Sequence, residues 1–167
     1  MILIAIGANL PGVNGEQADE TCRKAAEAVR KIEGLVVRAL SPWYRTAAWP
    51  DPTQPAYCNG MIRAEGNMPP EVLLKQLQKI ETDFGRSRSV ANAPRTLDLD
   101  IIDLNGLVRA VPDPVLPHPR AHQRAFVLRP ILDVAPGWRH PVLRQSVATL
   151  LAELPPQEIQ PWADDEG

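Results

Sequence analysis

The segment Thr96-Leu97-Asp98-Leu99-Asp100-Ile101-Ile102 sets two carboxylates two residues apart in a run of strand-forming residues. In a strand, successive side chains point to opposite faces, so Leu97, Leu99 and Ile101 share one face and Asp98 and Asp100 the other. The two aspartate Cα atoms then lie roughly 6.5–7 Å apart. Carboxylates held this way repel each other, and a hard divalent cation with a preference for oxygen resolves the repulsion. Two magnesium ions about 3.5–4 Å apart fit such a pair if each also takes phosphate oxygens. The plain alternative is a strand with one solvated face, against which stands the depletion of Asp in strands.

Just upstream, Arg86, Arg88 and Arg95 flank a loop of small polar residues. A guanidinium fork matches phosphate oxygens, and cations beside metal-binding carboxylates neutralise charge on a transferring phosphoryl group. Read alone, these arginines also fit a solvated loop at a helix C-terminus, where cations are favourable. Joined to Asp98 and Asp100, they read as a phosphate clamp.

Tyr57 and Asn59, two apart on another strand, offer a ring for stacking and a carboxamide with both donor and acceptor. That pair suits a flat heterocycle, and an ordinary half-buried strand is the alternative. Trp43 and Trp49 bracket Thr46 in a Pro-rich loop, placed either to bind a ligand or to pack under the loop. His118, between Pro117 and Pro119, is a candidate donor to phosphate. The turn Gly7 to Gly12 lacks the Lys-Ser/Thr of a Walker loop. There is neither a Cys/His zinc set nor a Gly-x-Ser-x-Gly nucleophile turn.

The elements that must position these residues follow from periodicity. Residues 2–6 form a strand. A helix over about 16–31 carries the stripe Ala18, Cys22, Ala25, Val29 and Ile32, and Gly34 stops it. Residues 35–40 form a second strand that extends toward Tyr44, and residues 56–65 a third. Pro69 and Pro70 open a second helix, with Leu73, Leu77, Ile80 and Phe84 as its buried stripe and Gly85 at its end. Residues 97–104 form the fourth strand. Strand, helix, strand, strand, helix, strand predicts a ferredoxin-like α+β fold, with two helices on one face of an antiparallel sheet. From Asn105 the chain reads as an irregular, Pro-rich extension with a last helical piece over about 143–153. The expected organisation is one domain over 1–154 and a polar, acidic, mobile tail over 155–167.

Composition narrows the class. The chain has 167 residues, 44% of them hydrophobic, and a formal net charge of −2. A nucleic-acid binder is usually basic, and the aromatic strand motif of an RNA-binding ferredoxin-like domain is missing, so no nucleic-acid partner is expected. The apolar start, residues 1–7, lacks a basic leader and a long apolar run, so it reads as a buried strand rather than a signal peptide, and no membrane partner is expected. Cys22 and Cys58 read as reduced packing residues, from which a cytoplasmic location is expected.

Several of these strings occur together in one family. Ile4 to Leu10, Tyr44-Arg45-Thr46, Gln54 to Asn59, Ile80-Glu81 with Gly85 to Arg88, Ala93 to Asp100, Pro117-His118-Pro119 and Arg124 to Leu128 appear in the family's order. By them the chain resembles the 6-hydroxymethyl-7,8-dihydropterin pyrophosphokinases from near its start to about Pro141. The resemblance implies transfer of diphosphate from ATP to the pterin's hydroxymethyl group in folate biosynthesis, leaving AMP. It implies two Mg2+ ions on Asp98 and Asp100, with Arg86 and Arg95 acting on the phosphates. It places Gln78, Glu81, Arg88, Ile101, His118 and Arg124 at the nucleotide. It sets the pterin between Tyr57 and Phe126, with Asn59 and the Thr46 backbone reading its edge and Trp49 in the same pocket. Partners are then small molecules only, and the expected state is a monomer. Against the family pattern, Ala47 and Ala48 stand where prolines are usual, and the loop from Arg88 to Arg95 is one residue short. Two other outcomes are a catalytically silent pterin- or nucleotide-binding module on the same fold and a simple kinase yielding ADP. Intact Asp98, Asp100, Arg86 and Arg95 oppose the first, and the nucleotide product separates the second.

Overall fold

The first strand is apolar on both faces, because both faces are covered. In β1 (Ile2–Ala8), Ile2, Ile4, Ile6 and Ala8 enter one core cluster and Leu3 a second one. The structure is a computed structural model and describes residues 1–9, 15, 17–47, 56–85 and 96–162. β1 lies between β4 (Tyr57–Glu65) and β5 (Asp98–Leu104), antiparallel to both. β2 (Val36–Leu40) and β3 (Tyr44–Thr46) pair in turn with the two halves of β4, and β6 (Gln160–Pro161) pairs with β3.

The second expected strand is therefore broken into β2 and β3, for a local reason. Pro42 has no N–H to give to a ladder. At the break the Ser41 amide donates to Met61 O at 2.9 Å, and the Ser41 hydroxyl oxygen accepts from Met61 N at 2.8 Å. A side chain thus takes over one rung. Trp43 folds down across Gly60, where an added Cβ would meet its ring at 2.5 Å.

α1 (Ala18–Arg30) and α2 (Pro70–Asp83) cover the first face. Their predicted stripes are the buried ones: Ala18, Cys22, Ala25, Val29 and Ile32 on one, Leu73, Leu77 and Ile80 on the other, with Phe84 packed at the margin. Each fully buried Leu contributes about 1.5–3 kcal/mol by leaving water. Gly34 and Gly85 take positive φ (87° and 93°) after their helices, a conformation that costs a Cβ-bearing residue more.

The region from Asn105 is more regular than the extension expected. It supplies α3 (Ala125–Val134), which was not expected, and α4 (Val147–Glu153), where a helical piece was expected over about 143–153; both pack on the second face over Leu3, Met61 and Ile102. The two-layer core is thus backed by a further helical layer. α3 is fastened at its C-terminal end, where the Tyr44 hydroxyl donates to the Asp133 carboxylate and Arg63 Nε donates to Val134 O at 2.8 Å.

β5 changes face partway along. Its register on β1 passes from Ile4↔Ile101 to Leu3↔Asp103, so Ile102 is an extra residue in a bulge. Without the bulge, Asp103 would fall on the α1–α2 face with Ile101. With it, Asp103 turns to the α3–α4 face, where it accepts from Trp138 Nε1 at 2.7 Å and from Gly106 N at 3.0 Å.

The segment expected as a tail from Pro155 runs back across the molecule as far as Trp162, where the Trp162 amide donates to Trp43 O at 2.9 Å. Residues 163–167 lie outside the described residues.

Candidate active site

One row of the sheet carries the chemistry. Across four strands the register aligns Asp98 of β5, Gly7 of β1, Asn59 of β4 and Tyr44 of β3. Neighbouring strands lie about 4.8 Å apart, so the Asp98 and Asn59 backbones are roughly 10 Å apart with Gly7 between them. A Cβ on Gly7 would come within 3.0 Å of Asn59 Oδ1. Glycine therefore keeps the floor low between a carboxylate end and an amide end. Above this row, among the described residues, lies a cavity of about 970 Å3, closed on its far side by the segment from His118 to Val127.

At the amide end, Asn59 Nδ2 donates to Thr46 Oγ1 at 2.9 Å, and both residues are buried. Tyr57 pairs with Thr46 across the ladder and is half-buried at the cavity wall. Phe126, in the first turn of α3, lines the same cavity, and the Arg124 guanidinium sits 5.4 Å from its ring centre. The expected pocket of Thr46, Tyr57, Asn59 and Phe126 is thus assembled from β3, β4 and α3.

At the carboxylate end, Asp98 and Asp100 both line the cavity, with Asp100 opposite Ala5 of β1. Between them the Leu99 amide donates to Glu81 Oε2 at 2.9 Å. His118 is drawn to the same strand by its own amide, which donates to Ile102 O at 2.9 Å. Its Nδ1 accepts from Arg120 N at 3.2 Å, so in the neutral ring the proton sits on Nε2. Burial holds the His118 imidazole below its usual pKa; Asp100 opposes this, and Arg124 and Arg120 reinforce it. Burial also lowers the Arg124 pKa, as does Arg120, while Asp100 and Asp98 pull it back. An arginine remains a cation throughout. Cations and carboxylates thus face each other across this end of the cavity.

Asp98, Asp100 and His118, read from their residue types, and Arg124, implied by the resemblance, all line the cavity. Three expected residues are not brought to the cavity. The Ile101 side chain points into the α1–α2 core, the Glu81 carboxylate is buried behind β5, and Gln78 is exposed on α2. Arg86, Arg88, Arg95 and Trp49 lie outside the described residues. Sequence reasoning missed Arg120, Gln123, Gln157 and Glu158, all of which line the cavity. Arg120 sits two residues after His118 and was within reach of the same motif. Gln157 and Glu158 follow no motif.

The donor set suits a hard cation. Among the described residues no group of three or more His, Cys, Asp or Glu forms a metal cage. Two carboxylates on one face of a strand, opening on a cavity, are the arrangement magnesium uses when it keeps waters and substrate phosphates as its other ligands.

Comparison with known proteins gives one family. A family model described as 7,8-dihydro-6-hydroxymethylpterin-pyrophosphokinase matches residues 3–136. The 2-amino-4-hydroxy-6-hydroxymethyldihydropteridine pyrophosphokinase of Pseudomonas aeruginosa is 34% identical over 159 residues, covering 95% of this chain and 94% of that protein. The protein of the same name from Synechocystis is 35% identical over 132 residues, covering 79% of this chain and 67% of that one. The folic acid synthesis protein fol1 of Schizosaccharomyces pombe is 36% identical over 141 residues, or 84% of this chain. The chain spans only 19% of that relative's length. The crystal structure of Plasmodium falciparum HPPK-DHPS matches the fold with a TM-score of 0.67 at 12% identity, over 91% of this chain and 44% of that one.

Proposed function

The chain belongs to the 7,8-dihydro-6-hydroxymethylpterin-pyrophosphokinase family, and from that premise we propose that it transfers the terminal diphosphate of ATP to the hydroxymethyl oxygen of 6-hydroxymethyl-7,8-dihydropterin, a step of folate biosynthesis that leaves AMP and the pterin diphosphate. One observation carries the reading. A single sheet row puts the carboxylate of Asp98 and the buried Asn59–Thr46 pair on either side of Gly7, at two ends of one cavity. A flat heterocycle needs stacking and fixed hydrogen bonds, a polyphosphate needs charge, and the hydroxymethyl arm lies between the two.

In this reading the pterin stacks between Tyr57 and Phe126. Asn59 Nδ2 is engaged by Thr46, so its Oδ1 is left to accept from the heterocycle. The nucleotide runs along β5, which among the described residues pairs with one strand, β1. There Ile101 offers its backbone rather than its side chain, and Gln78 flanks the groove from α2. His118 Nε2–H and Arg124 donate to phosphate oxygens. Arg86, Arg88 and Arg95 complete the clamp, with Arg86 and Arg95 meeting the transferring group. Glu81 serves the site from behind by holding Leu99 between the two aspartates. Asp98 and Asp100 hold two magnesium ions, which when bound neutralise charge developing on the transferred group. Transfer then depends on aligning the hydroxymethyl oxygen with the reacting phosphorus, and Asp98 stands on that path. The enzyme works as a cytoplasmic monomer on small-molecule substrates, and light scattering checks its mass.

Product analysis tests the reading. Protein, ATP, magnesium and the hydroxymethyl-dihydropterin are incubated, nucleotides are resolved by chromatography, and phosphorus NMR reads the pterin. Pterin-dependent AMP with a pterin diphosphate is the expected result. ADP would replace it with a single-phosphoryl kinase, and binding without turnover with a silent module.

A further inference from the structure

The last wall of the cavity comes from the far end of the chain. Gln157 Oε1 accepts from Ala125 N at 2.8 Å, and Gln157 Nε2 donates to Gln123 O at 3.0 Å. These two backbone groups bracket Arg124, and Phe126 follows directly. Arg124 and Phe126 both line the cavity. Ala125 N–H is among the first amides of α3, which no carbonyl of the helix itself satisfies. One side-chain amide therefore supplies both an acceptor and a donor at the point where the 3-10 turn Ala121–Gln123 passes into α3.

Beyond Gln157 the chain is tied to the opposite wall. Gln160 and Pro161 pair with Arg45 and Tyr44, and the Arg45 guanidinium lies 5.1 Å from the centre of the Trp162 ring. Thr46 and Ala47, next along, line the cavity. Residues 157–162 thus form a strap from the Phe126 wall to the Thr46 wall, beyond the residues 3–136 that the family model matches.

We propose that Gln157 is a positioning residue for substrate binding: by holding the backbone on both sides of Arg124, it aims Arg124 and Phe126 into the cavity. The proposal rests on the reading of that cavity as the pterin and ATP site. Gln157 acts through its two backbone partners and needs no contact with substrate.

Two variants of the full chain test this. Gln157→Met keeps the length of the side chain and removes both hydrogen bonds. Gln157→Glu keeps the acceptor for Ala125 N–H and loses the donor to Gln123 O. NMR hydrogen exchange in the substrate-free protein reads the clamp directly. The Ala125 amide exchanges about tenfold faster in the Met variant, the equivalent of one lost hydrogen bond, and stays near wild type in the Glu variant. Steady-state kinetics reads its consequence. The Met variant raises KM for the pterin and for ATP roughly tenfold, with kcat within about twofold of wild type. A merely structural role would lower the active fraction and leave KM alone. Wild-type KM values in Gln157→Met, or an Ala125 amide that exchanges no faster there, would overturn the proposal. Failure of the underlying reading is separately visible, since the wild type itself would then form no pterin-dependent AMP.

Discussion

Asp98 and Asp100 share a face because they are two apart in a strand, and their site is only as good as that alternation. Replacing either by Ala removes a ligand whose charge the transition state needs. We expect turnover to fall about a thousandfold, the equivalent of about 4 kcal/mol, with protein stability little changed. Near-wild-type rates in either variant would remove the metal from the reading. Asn59 stands at the other end. In Asn59→Ala the Thr46 hydroxyl loses its donor and the heterocycle loses an acceptor. The pterin KM should then rise ten- to hundredfold while the ATP KM holds; an equal rise in both would mean that Asn59 shapes the whole cavity. This pair of aspartates was legible from spacing alone, as was the facing of Tyr57 and Asn59. The burial of Ile101 was legible too, since Leu97, Leu99 and Ile101 alternate with the acids. Its side chain therefore could not also line the site, and the two readings of Ile101 meet only at its backbone.

Single elements decide where those residues sit. The helical stripes of α1 and α2 could be read because four- and three-residue steps leave little ambiguity. α3 could not. Pro130 falls in its middle, and a proline without an N–H signals a break, yet the helix continues because the flanking Val127, Leu128, Ile131 and Val134 are all buried against the sheet. Tertiary burial outweighed the local signal. The bulge at Ile102 was equally hidden, since nothing in Ile101-Ile102-Asp103 marks an extra residue. It has an energetic consequence that can be measured. Asp103 is 4% exposed and accepts from two donors, one of them the buried indole of Trp138. Asp103→Ala leaves both donors unmet and should cost about 2–4 kcal/mol, read as a lower urea midpoint with an unchanged slope. A loss of stability under about 0.5 kcal/mol, the midpoint shift multiplied by the slope, would mean that water replaces the carboxylate.

For the molecule as a whole, acid acts on the second core through a buried histidine. His140 is 4% exposed, and its Nδ1 accepts from the amides of Val142 and Leu143 at 3.1 Å each. Burial pushes its pKa down, His122 adds to this, and Asp103 pulls the other way. A histidine whose folded pKa lies below its unfolded value near 6.5 binds fewer protons folded than unfolded in the interval between them, so stability rises with pH there. Its contribution is complete above about pH 6.5 and is lost as pH falls through the depressed folded value. Urea midpoints should therefore fall from pH 7.5 to 5.5, and fall less in His140→Gln, whose carboxamide oxygen can still accept. An equally steep fall in the variant would place the acid sensitivity elsewhere, with His118 next, since burial depresses it as well. At this scale the order of strands and helices was readable from residues 2–104. Beyond them only the helical piece that forms α4 was readable; α3, the packing of both helices on the sheet and the return of the chain end were not, because that packing and that return depend on contacts between residues far apart in sequence.

Among the described residues, that return also forms one end of the sheet. The Trp162 amide points inward to Trp43 O, so by the alternation of an antiparallel ladder the nitrogen before it, that of Pro161, points outward. Proline has no hydrogen there, and β6 is two residues long. The outermost strand on this side therefore offers a second molecule almost no rung to add to, where a bare β3 would have offered an open template for edge-to-edge aggregation.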